Sequence, residues 1–182
     1  VFVHGALCFC YSGQCYMSAL IGRRSGNRGA CAQPCRMQYS MGGRMDEYPL
    51  SLRDNCLADY LQQLADAGVA CVKIEGRMKT ALYVATVART YRKAIDDYLE
   101  DPAKYQANMS WYQEQIAGCT YRKFTTGFFY GKPSEEAQIY DNNTYEKGYT
   151  YLGFAEAVDE RGYVQITQRN KFTVGEMIEI MK

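Results

Sequence analysis

Within the stretch from Ser51 to Glu100 the hydrophobic period switches from helical to strand-like and back, and that alternation limits the fold more than any other feature. "SLRDNCLADYLQQLADAG" reads as a helix of about three turns, with Ser51 or Asp54 as cap, Leu57, Leu61 and Leu64 on one face and Gly68 as stop. "VACVKIEG" follows as a short apolar strand. "MKTALYVATVARTYRKAIDDYLED" is then a second helix, burying Tyr83, Val87, Tyr91, Ala94 or Ile95, and Tyr98. Helix, strand and helix joined by short connections make a βα repeat, so this part belongs to an α/β layer or barrel. The opening run "VFVHGAL" is β-branched and apolar, as expected of a parallel-sheet strand covered on both faces. Chemistry in such folds gathers at the C-terminal ends of strands, here "HGALC" and "KIEGRMK".

After Pro102 the character changes. Residues 103–118 read as another helix or a connector, and "YRKFTTGFFYGKP" is aromatic, basic and punctuated by glycine. Beyond it, "YTYLGFAEAVDERGYVQITQRNKFTVGEMIEIMK" alternates strand-like runs with turns at Asp159 to Gly162 and near Asn170, the pattern of a small antiparallel β module. The expected division is therefore 1–118 and 119–182. A chain of 182 residues can bury a real core without disulfide staples. Its net charge of +1 provides no general attraction for nucleic acid, so any basic surface must be local. No run approaches the roughly 18 apolar residues of a membrane span, and the start lacks the basic residues and cleavage site of a signal peptide. The expectation is a soluble, cytoplasmic protein. The abrupt apolar start and the strand-like "MIEIMK" at the end suggest a piece of a longer protein.

Eight cysteines are many for such a chain, and Cys8, Cys15, Cys31 and Cys35 fall close together in the pattern C-x6-C-x15-C-x3-C. Disulfide scaffolds are usually shorter and poor in helices, so metal or redox chemistry is the better expectation for a cytosolic chain. Zinc ribbons show two short knuckles and only one short spacing exists here. Iron–sulfur clusters tolerate irregular spacing, because four thiolates need only reach the corners of a cube. Buried structural thiols and disulfides remain open alternatives on spacing alone. The intervening "IGRRSGNRGACAQPCRMQYSMGGR" reads as a long loop that ligation would order. Cys56, Cys71 and Cys119 read as small apolar residues on helix or strand. Cys10 shares a face with Cys8 if the strand continues, and reads as a spare thiol near the site or another core residue.

The lone histidine, His4, lies in the first strand, where a backbone-bonded histidine and an acid–base residue or ligand are both open readings. No "GxSxG" elbow accompanies it, which disfavours a Ser-His-Asp hydrolase. In "KIEGRMK", Lys73, Glu75, Arg77 and Lys79 alternate, so they converge at the strand end while the chain stays extended. Cations beside one carboxylate suit an anionic small molecule; the alternative is a solvated, salt-bridged loop. Arg23, Arg24, Arg28 and Arg36 form a second basic cluster of the kind that meets structured RNA through its phosphates. The 17 tyrosines are too evenly spread to read first as stacking platforms.

"FVHGALCFCYSGQCYMS", "NRGACAQPCR" and "VKIEGRMKTALYVATVARTYRKAID" closely resemble the U32 peptidase family, also called collagenase-like proteases, and "FTTGFFYG" and "QRNKFTVGEMIEI" look like its later segments. The resemblance implies the last βα units of a TIM-like barrel followed by a small antiparallel, barrel-like module. Besides peptidases, the family includes factors for O2-independent hydroxylation of tRNA wobble uridine, of ribosomal RNA cytidine and of ubiquinone precursors. Those relatives hold an iron–sulfur cluster, and prephenate is implicated as cosubstrate. Carried over, Cys8, Cys15 and Cys31 are ligands of a 4Fe–4S cluster, with Cys35 the fourth and Cys56 its alternative. "CAQPCR" and "RNKF" look more like the RNA-modifying branch, which favours uridine 5-hydroxylation with tRNA as partner. Arg77 and Lys79 then hold carboxylates, Arg28 and Arg36 contact substrate, and His4 or Glu75 moves protons. The rival expectations are a collagenase-like peptidase and a non-enzymatic RNA-binding fragment with zinc on its cysteines.

Overall fold

The computed structural model describes residues 1–12, 14–140 and 146–181, with backbone alone at Met41, Arg44, Met45, Asp46 and Lys147. The chain divides into two compact units, Val1–Lys147 and Gly148–Lys182.

In the first unit, β1 (Phe2–Ala6) is followed by α1 (Met17–Gly22), a hairpin of β2 (Tyr39–Met41) and β3 (Arg44–Glu47), and β4 (Asp54–Cys56). Then come α2 (Leu61–Asp66), β5 (Lys73–Ile74), α3 (Ala81–Glu100), α4 (Pro102–Ala107), α5 (Met109–Ala117), β6 (Thr120–Tyr121), β7 (Phe124–Thr125) and β8 (Glu146–Lys147). The central sheet has the order β5-β1-β4-β7. β1 runs parallel to β5 and antiparallel to β4, with Ala6 opposite Asp54, and β4 runs parallel to β7. The result is a mixed α/β layer, and no barrel closes among the described residues. β1 is buried at Val3, His4 and Gly5, as its apolar run requires.

The expected helix from Ser51 begins later than its pattern suggests. Residues 54–56 are extended because they pair with β1, and Asp54 caps nothing; its carboxylate is buried in the sheet. A 3-10 turn at Ala58–Tyr60 leads into α2, and Leu57, Leu61 and Leu64 enter the core as expected. Tertiary pairing has overridden a local helical pattern.

α3 matches its periodicity closely. Thr80 accepts a hydrogen bond from Tyr83 N as the cap, and Tyr83, Val87, Tyr91 and Ala94 are buried in one stripe. Tyr91 shows why tyrosine suits this core: its hydroxyl donates to Val3 O at 3.0 Å and accepts from Leu57 N at 3.2 Å, joining helix to sheet. Tyr105 repeats the device, with its hydroxyl on Ala58 O and Leu61 N. Tyr112 donates to the buried Asp97 at 2.6 Å, where Lys93, Lys104 and Asn108 also converge and tie α3 to α4 and α5.

In the second unit β9 (Gly153–Val158) and β10 (Val164–Gln168) form an antiparallel hairpin. Its turn falls where Asp159 to Gly162 predicts: Asp159 Oδ1 accepts from Arg161 N and Tyr163 N, and Gly162 takes a φ of 83°. The strand expected at "MIEIMK" is not formed; residues 176–181 belong to no regular element.

Candidate functional site

Because β1 and β5 are parallel and β4 runs against β1, the exit of β1, the exit of β5 and the start of β4 lie at one edge of the sheet. Glu75 crosses directly over Gly5, where a Cβ would collide with Glu75 O, and Gly5 has a φ of 115° that also excludes larger residues.

β1 ends at Ala6, so the chain turns away and Cys8 and Cys10 do not share a strand face as expected. The segment 21–44, expected to be a loop, holds the end of α1, two 3-10 turns and β2, and reaches the start of β3. Ser18, buried on α1, accepts from Ala32 N at 2.8 Å and ties the helix to the segment around Cys31. Gln33 adopts a left-handed φ of 56° just before Pro34, which directs its N–H to Cys31 Sγ at 3.3 Å. A non-glycine residue held there is locally strained, and such strain clusters at functional sites. Burial pushes the Cys35 thiol up, the Arg36 guanidinium opposes this, and Cys8, Cys31 and Cys15 push it further up. The four cysteines of the spacing pattern therefore lie near enough to interact. Among the described residues, no three His, Cys, Asp or Glu side chains close tightly enough to grip a single metal ion, and none of these thiols is in a disulfide.

Cys56 stands apart from that group. It lies in β4 against the Tyr91 hydroxyl at 3.9 Å, and burial pushes its thiol up to about 11. Cys119 is core, as expected, whereas Cys71 is exposed rather than packed.

The alternation read across "KIEGRMK" fails because β5 stops at Ile74 and the chain turns: Arg77 N donates to Glu75 Oε1, and Lys79 N to Gly76 O. Lys73 remains exposed over the Phe2 ring. Arg77 lies across Gly29 in the cysteine loop, with its guanidinium where a Cβ would be. Lys79 turns inward to Asp54 Oδ2 at 3.1 Å and Thr120 O at 3.3 Å. Asp54, fully buried, also accepts from Arg122 Nη1 and Arg122 N, each at 3.2 Å. Burial pulls the Lys79 ammonium down, Asp54 holds it up, and Arg122 and Arg36 add to the pull. In the sequence Asp54 reads only as a candidate helix cap and Arg122 carries no signal; only the fold brings them together.

His4 sits at the centre of the sheet, 1% exposed, with the rings of Tyr83, Tyr91 and Phe124 at 5.9, 5.5 and 5.5 Å. Burial lowers it to about 4, with Asp54 opposing and Lys79 adding, so it is neutral at physiological pH. Arg36 is buried too, donating to Leu7 O at 2.9 Å, Ser51 Oγ at 3.2 Å and Leu52 O, which fastens the cysteine loop to the exit of β1. Arg28 is exposed at the end of the 3-10 turn Gly26–Arg28. A pocket of about 330 Å³ opens beside Cys31, with Arg24, Arg36, Arg122 and Met78 in its wall.

Residues 1–139 match the family described as Peptidase family U32, and residues 147–182 match the Peptidase family U32 C-terminal domain. The chain is 35% identical to tRNA hydroxylation protein P1 of Bacillus subtilis (strain 168), over 98% of its own length and 45% of the relative's. It is 35% identical to a collagenase of Porphyromonas gingivalis (strain ATCC BAA-308 / W83), over 91% of its length and 44% of the relative's. It is also 45% identical to the 23S rRNA 5-hydroxycytidine C2501 synthase of Escherichia coli (strain K12), over 55% of its length and 16% of that protein. The chain thus spans less than half the length of these curated relatives. No solved structure matches it.

Proposed function

The chain belongs to peptidase family U32, and from that premise we propose that it serves O2-independent 5-hydroxylation of tRNA uridine, with Cys8, Cys15, Cys31 and Cys35 holding a 4Fe–4S cluster. The observation that carries the reading is that Cys8, Cys15 and Cys31 all lie near enough to Cys35 to push its thiol up. Cys35 is taken as the fourth ligand rather than Cys56, which lies in β4 against the Tyr91 hydroxyl, whereas Cys35 is near enough to the other three thiols to be affected by them. A bound cluster supplies redox-active iron. The N–H of Gln33 on Cys31 Sγ is the kind of hydrogen bond that tunes such a centre.

In this reading prephenate is the cosubstrate and the RNA is met by exposed cations of the cysteine loop, Arg28 among them, in the cytoplasm where tRNA is found. Proton movement falls to Glu75 at the strand end, since His4 is buried and neutral and serves to hold the sheet against α3. In this reading β1 and β5, which run parallel, belong to the last βα units of a TIM-like barrel. Among the described residues no helix is long and apolar enough to cross a membrane.

Peptidase activity is the second reading, favoured by the collagenase relative. A Ser-His or Cys-His peptidase needs a histidine beside its nucleophile and open to substrate, and His4 is enclosed by three aromatic rings, so it does not fill that role. The deciding experiment is mass spectrometry of tRNA from a strain lacking the gene. Loss of 5-hydroxyuridine derivatives, restored by the wild-type gene but not by a Cys15→Ala copy, is expected. Unchanged tRNA would end the hydroxylation reading.

A further inference from the structure

The loop that follows β7 sets two aromatic rings out in solvent within a single turn. Phe129 N donates to Thr126 O and Gly131 N to Phe128 O, so the chain folds back on itself there. Phe129 turns in against the core and against Tyr60, at 4.8 Å between ring centroids, while Phe128 is 69% and Tyr130 74% exposed. The chain carries no carboxylate from Cys119 to Ser134. Lys123 and Lys132, on either side of the two rings in sequence, are exposed and form no ion pair among the described residues. We propose that this loop is a stacking platform for unpaired bases of the RNA, with Phe128 and Tyr130 as the stacking residues and Lys123 and Lys132 meeting the adjoining phosphates.

The platform is built before any RNA arrives. At its root Phe124 stacks on Tyr121 at 4.3 Å, and β7 pairs with β4. Gly127 is buried, and a Cβ there would stand 3.0 Å from Asn55 Oδ1 and 3.5 Å from Leu7 Cδ2. Glycine at this position lets the loop pack against Leu7, the residue before Cys8. Tyr130 lies edge-on to Tyr60 at 5.6 Å and to Phe129 at 4.9 Å, and its hydroxyl is hydrogen-bonded to that of Tyr60. Its ring is thereby fixed, so a stacked base does not have to order it. Phe128 makes no ring contact among the described residues, which leaves its ring for a ligand. Asp59, which adjoins Tyr60, accepts from Gln113 Nε2 at 3.0 Å, and Glu135 and Glu136 follow beyond Ser134.

Charge and spacing choose the occupant. Every base offers a ring face whatever its sequence, and aromatic side chains set between cations are how single-stranded segments are held. A protein partner is served by a continuous apolar patch, and here the ring between the two exposed ones points inward. A neutral sugar would leave the two lysines nothing to neutralise. The role rests on the hydroxylation reading and deepens it, since it names the part of the RNA that is held: unpaired bases rather than a duplex.

The test is fluorescence anisotropy of the purified full chain with a labelled RNA stem-loop copying a tRNA anticodon arm, and with a blunt duplex of the same length. The stem-loop is expected to bind more tightly than the duplex. Phe128→Ala and Tyr130→Ala are each expected to weaken the stem-loop about 5- to 100-fold, the loss of one base–ring stack, and to leave the duplex unchanged. Phe128→Trp is expected to restore binding and Phe128→Leu is not, which separates stacking from apolar contact. Lys132→Gln is expected to lower the slope of log affinity against log salt by about 0.7. Circular dichroism reports whether Tyr130→Ala is folded; if it is not, the exposed Phe128 decides. No stem-loop binding, equal binding of stem-loop and duplex, or stem-loop binding that Phe128→Ala leaves unchanged overturns the proposal. So does a gelatin peptide that binds in place of the RNA with the same dependence on Phe128, because the loop would then dock a polypeptide. Binding is read without turnover, so unaltered tRNA in the deletion strain beside Phe128-dependent stem-loop binding removes the hydroxylation reading alone. Altered tRNA beside binding indifferent to Phe128 removes the platform alone.

Discussion

His4 makes an acid-sensitivity prediction that can be worked through to a number. It is the chain's lone histidine, 1% exposed, with Nδ1 3.3 Å from the Tyr91 hydroxyl and Nε2 without a hydrogen-bond partner among the described residues. Its folded pKa is about 4 against 6.5 for the free side chain. The unfolded chain therefore binds a proton at His4 more readily than the folded one throughout that interval. Stability then rises with pH across it, so the contribution is complete above 6.5 and is lost as pH falls towards 4. Integrated from about pH 7 to about pH 4.5, the histidine alone removes roughly 2 to 2.5 kcal/mol. Carboxylates also titrate near the lower limit, so the comparison must be between the wild type and His4→Leu, which lacks the group but keeps an apolar side chain of similar size. Urea melts of both proteins at the two pH values provide the measurement. The wild type is expected to lose about 2 kcal/mol more than the variant, whatever the substitution costs at neutral pH. Parallel losses in the two proteins would refute the reasoning, because they would mean that His4 titrates normally and is open to water.

The buried ionic triad is expected to be asymmetric. Asp54→Asn leaves Lys79 and Arg122 facing each other across a neutral amide and is expected to cost about 3 to 5 kcal/mol, while Lys79→Met leaves Asp54 bonded to Arg122 and costs clearly less; thermal melts of the two variants give the comparison, and equal losses would contradict it. For the cysteines, anaerobic iron and sulfide analysis is expected to show the cluster lost in Cys35→Ser and retained in Cys56→Ser. The reverse pattern would move the fourth ligand to β4, and zinc without iron in the wild type would remove the cluster.

What was readable in the residue order was whatever depends on local periodicity. Tyr83, Val87, Tyr91 and Ala94 recur at helical spacing, and α3 buries them as a stripe. Asp159 to Gly162 carries turn chemistry in its own side chains and backbone, and the hairpin turns there. Where a segment's conformation depends on a partner distant in sequence, the local signal misled. Residues 54–56 fit a helical pattern but pair with β1, because Tyr91 supplies a bond to Leu57 N and β1 supplies the ladder. The charges of "KIEGRMK" alternate in sequence, yet the turn after Ile74 sends Lys79 inward and Arg77 onto Gly29. The pocket is the extreme case, since Arg24, Arg36 and Arg122 lie in segments with no shared motif. Sequence alone determined which side chains are cationic, apolar or thiol-bearing and which runs can form a helix or a turn, because those depend on neighbours along the chain. Which charges meet around Asp54, which histidine nitrogen is cut off from water and which cysteine stays apart were decided by sheet pairing across long separations, which local spacing does not encode.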